Sequence, residues 1–254
     1  MKLQLGRHVF GWAAIGFGII TLVWRDFSTW QQNVPHREIL VYLAAAVELL
    51  GGAAMQWTKT TRAGAIALGC LYAFFALTWV PRIVAEPLVY DRWGNFFEQF
   101  SIVSGALIAY ALLSFGVSGR AEKLARVGCA FFGICVISFT MEQLFYLKGT
   151  ASFVPKWIPP GQMFWAVATT IAFALAATAL LSGRSALLAS RLLTAMILGF
   201  GLLVWLPAPF TAPHQIVSWA GNAQNTAILG AAWIVMDYLR GRRAGSLAIG
   251  AAPV

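Results

Sequence analysis

The sequence predicts an all-α, polytopic membrane protein, with eight transmembrane helices arranged as two parallel four-helix repeats. Three observations predict it. Hydrophobic residues fill 59% of the 254 positions and charged residues only 11%, against roughly 25% charged in an ordinary soluble domain. The apolar residues fall in runs close to the ~20 residues a helix needs to cross a hydrocarbon core. A Leu-x-Trp-x-Pro pattern closes two of those runs, as LTWVP at 77–81 and LVWLP at 203–207, 126 residues apart.

Taken in order, the first run (9–24) follows Lys2 and Arg7 and has no small-x-small cleavage site, so it reads as a retained span, with a signal peptide as the minor alternative. The second (39–57) is apolar apart from Glu48 and Gln56, and the third (63–80) closes on Trp79 just before Pro81. The fourth (96–116) opens with the polar FFEQFS, and the fifth (127–147) ends in MEQLFYL. The sixth (162–182) follows Pro159, Pro160 and Gly161, and the seventh (192–207) ends in LVWLP. The eighth (222–239) opens with GNAQNT and stops before Arg240, Arg242 and Arg243. These runs are apolar on most faces instead of alternating, which favours helices over a β-barrel.

The net charge of +9 comes from short gaps between the runs, so positive-inside topology explains it and nucleic acid is not an expected partner. One side carries Lys2, Arg7, Lys59, Arg62, Arg120, Lys123, Arg126, Arg184, Arg191, Arg240, Arg242 and Arg243, twelve of the 18 basic residues. The other carries Arg25, Arg37, Arg82, Arg92, Lys148 and Lys156, which is six. Both termini fall on the richer side, which places them in the cytoplasm of a cell whose inner membrane holds the chain. Trp79, Trp93, Trp205 and Trp219 then sit at the outer headgroup level as interface anchors, while Pro81 and Pro207 stop their helices.

The 126-residue register extends beyond the pentapeptides. Residues 92–106, RWGNFFEQFSIVSGA, lie over 218–232, SWAGNAQNTAILGAA, so that Trp93 meets Trp219, Glu98 meets Gln224 and Ser104 meets Gly230. Val34-Pro35 matches Val154-Pro155 at an offset of 120, and Arg62 matches Arg191 at 129. A duplicated four-helix unit follows: residues 1–118, then a diverged copy at 119–240, with 241–254 as a disordered cytoplasmic tail. Because four is even, both copies enter the membrane in the same sense.

The chemistry-bearing residues are few. Glu48 stands mid-span in YLAAAVELLGGAAM (42–55), where an ionised acid costs roughly 2.5–3.5 kcal/mol. Gly51 and Gly52 share its face as helix-packing residues, which turns Glu48 into the bundle. There it serves either as a proton- or substrate-binding carboxyl or as a hydrogen-bonded packing group. Arg25, Glu98, Glu142 and Gln143 form a candidate polar cluster under the outer surface, with snorkelling interfacial charges as the alternative. His8, His36 and His214 are never mid-span and have no ligand spacing, so neither a haem pair nor a metal site is expected. Cys70, Cys129 and Cys135 form no C-x-x-C pair, and nucleotide loops and nucleophile elbows are absent.

Glu48-Leu-Leu-Gly51-Gly52, followed by Thr61-Arg62 and by the polar-opening run FFEQFSIVSGALIAYALL (96–113), resembles the DoxX family of small four-helix membrane proteins. FVPKWIPPGQMFW (153–165) is similar to the V-P-x-W-[IL]-P stretch of DoxX-like proteins, with Gln143 where many relatives carry a histidine. The resemblance implies two tandem bundles and, from some members, a link to quinone-coupled or membrane-bound oxidoreductases. The reading that demands least of these residues is a non-catalytic membrane subunit supporting a membrane or periplasmic redox partner. The alternatives are a small-solute or proton-coupled carrier with Glu48 as the coupling acid, and a quinone-reactive oxidoreductase subunit with Glu48 or Glu98 bonding the ring. No cofactor is evident beyond that quinone, and the lipid bilayer is the expected surrounding.

Overall fold

Long helices follow one another along nearly the whole chain, joined by short connections. The computed structural model describes residues 5–26, 36–114 and 119–250. Among them there is no strand, and eight helices run to 15 residues or more. These are α1 (Leu5–Trp24), α2 (Arg37–Ala54), α3 (Thr61–Thr78), α4 (Tyr90–Ser114), α5 (Gly119–Phe145), α6 (Gln162–Ser182), α7 (Ala186–Phe200) and α8 (Ile216–Gly250). Val34 and Pro35 and the junction at 118 lie outside the described residues.

Five helical stretches are long and apolar enough to cross a membrane: Leu5–Trp24, Thr61–Ala85, Gly119–Phe145, Gln162–Ser182 and Ala186–Thr211. The chain is therefore a multi-pass membrane protein, and composition alone supports five spans where eight were expected. The reason lies in α2, α4 and α8. Helix α2 holds Arg37, Glu38 and Glu48 within 18 residues, and α4 and α8 open on polar sequence. Helices α4 and α8 also bury Gln99, Ser101, Ser104, Gln224 and Asn225. A helix shielded by its neighbours can carry polar side chains that a lipid-facing helix cannot.

Each helix packs on the next, from α1 through α8, and α8 returns to α1, closing the ring. Helices α4 and α8 also touch each other across its middle. Small residues permit these approaches. A Cβ on Gly105 of α4 would lie 2.6 Å from the Ala231 Cβ of α8, and one on Gly230 of α8 would lie 2.6 Å from the backbone of Phe10 in α1. Around the core, Phe10, Phe17, Leu68, Tyr72, Ile102, Ile108, Phe132 and Val235 are buried. The many exposed Leu, Ile, Val and Phe side chains elsewhere form the outer apolar surface that a bilayer would cover.

Both long helices end before the proline of the repeated pentapeptide, and a short helix follows each. Pro81 sits in the first turn of a further short helix, Val80–Ala85, and Pro207 precedes another, Ala208–Thr211. A missing N–H costs nothing at a helix start, where no intrahelical partner exists, so proline suits the start of each short helix. The two connections share one geometry. Glu86 closes the first short helix at φ −135°, ψ 65°, and Ala212 closes the second at φ −138°, ψ 66°. The Trp93 indole then donates to the Pro87 carbonyl at 3.1 Å, and Trp219 donates to Pro213 at 3.0 Å. At the start of α6, Trp165 donates likewise to Pro159 at 2.9 Å.

The two ends of the bundle are pinned by polar contacts. At one end the Arg7 guanidinium donates to Thr61 Oγ1, the backbone N–H of Gly6 donates to Asp237, and Glu122 accepts from Tyr238 and pairs with Arg126 and Arg242. At the other, Arg37 pairs with Asp26, and Arg92 pairs with Glu86 and Asp91. The α8 backbone stays helical to Gly250, ten residues into the expected tail, and 251–254 lie outside the described residues. No proline interrupts its ladder between Pro213 and Pro253.

Candidate ligand cleft

The connection after α7 shows how a site opens in this bundle. Pro207 has no N–H to offer the carbonyl a turn earlier, and residues Gly201–Trp205 relax into a π-helical turn closed by Leu206 N–H to Gly201 O at 2.7 Å. The Trp205 carbonyl is taken up by Asn222 of α8 at 2.9 Å, and Asn225 donates at 3.2 Å to Ile197 O, which also accepts from the Gly201 N–H. The wide turn lays the Trp205 ring on Gly221, where a Cβ would come within 1.9 Å of it. Beside this turn lies a cleft of about 520 Å³, in the size range of small-molecule sites.

Helices α4, α5, α6, α7 and α8 all contribute to the cleft wall. Asp91, Arg92, Asn95 and Glu98 come from α4, Glu142 and Gln143 from α5, and Gln224 and Asn225 from α8. Phe139, Phe173 and Phe200 supply an aromatic side, with ring centroids 5.7 Å and 6.0 Å apart in sequence around it. Glu142 lies directly against α4, so close that a Cβ on Gly94 would fall 2.2 Å from its Oε2. Gln143 is anchored to α6, its Oε1 accepting from Thr169 at 3.2 Å and Thr170 at 2.9 Å. Arg92 is engaged by Glu86 at 3.0 Å and Asp91 at 3.2 Å.

Several polar atoms in this region are buried without a partner: Glu142 Oε2, Trp79 Nε1, Gln99 Oε1 and Gln224 Nε2. Gln99 spans to Gln224 through one hydrogen bond of 3.3 Å, leaving the other end of each amide unused. Buried groups of this kind are uncommon and cost of order 1–3 kcal/mol each when nothing satisfies them. Three of the four belong to residues of the cleft wall, Glu142, Trp79 and Gln224.

The candidates from sequence divide between two places. Glu98, Glu142 and Gln143 meet in the cleft, while Arg25 stands exposed beyond α1 with φ 51° and is no part of its wall. Glu48 lies apart, packed among α1, α2 and α3 and 2% exposed. Its Oε2 accepts from Thr21 at 3.4 Å, and the neighbouring Tyr72 hydroxyl is buried without a partner. Gly51 and Gly52 bracket it, the first against Leu68 and the second against the Gly11 carbonyl, 2.5 Å from where a Cβ would stand.

The tryptophans also part company. Trp93 is partly buried and Trp219 39% exposed, but Trp79 is only 4% exposed, with Arg82 over its ring at 5.2 Å. Trp79 and Trp205 form cleft wall. The span-end position was legible, but the neighbours that cover them come from α4 and α8. Sequence reasoning did not single out Asp91, Asn95, Gln224 or Asn225 as site residues, although the polar openings of the fourth and eighth runs were visible. No family model, curated protein or solved structure matches the chain.

Proposed function

We propose that the chain is an inner-membrane protein that binds a small solute in this cleft and carries it, with the cleft facing the outer side and both termini in the cytoplasm. The observation that supports a ligand is the set of buried, unpartnered polar atoms beside a cleft walled by five helices. It moves the expected coupling role from Glu48 to Glu98 and Glu142, the carboxyls on the cleft wall.

In this reading all eight long helices cross the membrane, as two parallel DoxX-like bundles sharing α4 and α8 at their junction. Support for the duplication comes from the matched connections at 86–93 and 212–219. It also comes from Gly105 and Ala231, which stand 126 positions apart and meet at the central crossing. A residue touching its own copy is what a two-fold axis along the membrane normal requires.

A quinone-binding subunit is the second reading. Trp79 Nε1 and Gln224 Nε2 are unused donors of the kind a quinone carbonyl needs. The subunit that merely supports a redox partner remains what the DoxX resemblance implies.

Asn95→Cys in a Cys70→Ser background tests the carrier, since Cys129 and Cys135 are buried. A carrier is labelled by an impermeant maleimide from the outer face at rest, and from both faces when solute is cycling. Labelling that never changes face removes transport, and no labelling from either face removes the cleft.

A further inference from the structure

The composition of the cleft wall selects among ligands. Among its described residues are three carboxylates, Asp91, Glu98 and Glu142, and a single basic side chain, Arg92. Arg92 bridges to Glu86 and Asp91, and no ion pair reaches Glu98 or Glu142 among the described residues. Glu142 Oε2 is buried with an unused lone pair, so it awaits a donor. Phe139, Phe173 and Phe200 line the same cleft, with Trp79 and Trp205. Rings and carboxylates in one cleft make a suitable bed for a cation with an apolar body, since the ring quadrupole attracts positive charge. Gln224, 8% exposed, and Trp79, 4% exposed, each keep a buried nitrogen donor without an acceptor, the Gln224 amide NH2 and the Trp79 indole N–H.

We infer that the cleft takes a protonated primary or secondary amine carrying an aromatic or other apolar group and a hydroxyl or carbonyl oxygen. This rests on the reading of the cleft as a ligand site. The ammonium N–H groups answer Glu142 and Glu98, the apolar body lies on the phenylalanine wall, and the oxygen accepts from Gln224 or Trp79. A quaternary ammonium fits less well, because it offers no N–H to Glu142 Oε2. An anion meets two carboxylates with no free basic group among the described lining residues.

The test uses the full chain in nanodiscs and three probes of one shape: 2-amino-1-phenylethanol, the neutral 1-phenyl-1,2-ethanediol and the anion mandelate. Calorimetric titration should show the amine binding about tenfold or more tighter than the diol, the ratio expected from one charge-assisted hydrogen bond, with mandelate not binding. Glu142→Gln and Glu98→Gln should each weaken the amine about tenfold and leave the diol unchanged. Gly94→Ala keeps both charges but brings a methyl to 2.2 Å from Glu142 Oε2, and should weaken the amine alone. Unchanged elution of each variant in size-exclusion chromatography establishes that it folds. Equal affinity for amine and diol, or preference for a benzoquinone, overturns the amine class while leaving the cleft as a ligand site. If none of the probes binds at millimolar concentration, and none protects Asn95→Cys from labelling, both inferences fall together.

Discussion

Replacing Gly221 by alanine is the sharpest probe of how the cleft is built. The added methyl would stand 1.9 Å, 2.4 Å and 2.6 Å from three carbons of the Trp205 ring. Ordinary contact begins near 3.4 Å, so the ring must retreat by about 3.4 − 1.9 = 1.5 Å or α8 must shift. The ring cannot swing freely, because the Trp205 carbonyl is held by Asn222 and the π turn fixes its backbone. Overpacking of this kind costs about 1–3 kcal/mol. Alanine returns about 0.8–1 kcal/mol of helix propensity, which leaves a net loss of up to about 2 kcal/mol. Gly16→Ala is the matched control: it is helical, and its Cβ would meet nothing within 4 Å. The same change there should stabilise by up to about 1 kcal/mol. Thermal unfolding in one detergent, read together with tryptophan emission, separates the two. Should Gly221→Ala raise the melting temperature as Gly16→Ala does, with emission unmoved, the Trp205 ring is not seated on α8 and the cleft wall is wrongly drawn.

Other substitutions test the remaining polar groups. Tyr72→Phe removes a buried hydroxyl with no partner and should be neutral or stabilise by up to about 1 kcal/mol, seen as an unchanged or raised melting temperature. Glu48→Gln keeps an acceptor for Thr21 and lies outside the cleft, so amine affinity should be unchanged; a large loss would tie Glu48 to the ligand. Gln143→Leu strips the acceptor shared by Thr169 and Thr170 and should cost about 1–2 kcal/mol in thermal unfolding, with α6 the first helix to gain proteolytic cuts.

The apolar runs of α1, α3, α5, α6 and α7 were legible because lipid demands an unbroken hydrophobic stretch of known length. Helix starts were legible only where apolar residues began. Helix α4 starts at Tyr90, six residues before its expected opening at 96, and α8 at Ile216 instead of 222. Their first turns are amphipolar sequence that a hydropathy reading assigns to the connection, yet these turns carry Asp91, Arg92 and Asn95 into the cleft. Glu98, Glu142 and Gln143 could be grouped from sequence because topology alone puts them at one end of the bundle. Arg25 was grouped by the same logic and stands elsewhere, since topology fixes depth and not lateral position. The cover over Trp79 was illegible for the related reason that a residue's depth does not say which helix packs on it. The pairing of α1 with α8, and the π turn at Gly201–Trp205, depend on tertiary packing that no local pattern announces.

The return of α8 onto α1 sets a timetable for biogenesis. Helix α1 meets one of its principal neighbours only after α8 has been made, more than 200 residues on. Until then the face of α1 bearing Gly6 and Phe10, which α8 will finally cover, must be tolerated by lipid or by the insertion machinery. Docking of α1 is thus delayed until α8 has emerged, and a nascent chain cut short before Ile216 would lack the strut that joins α1 to α4.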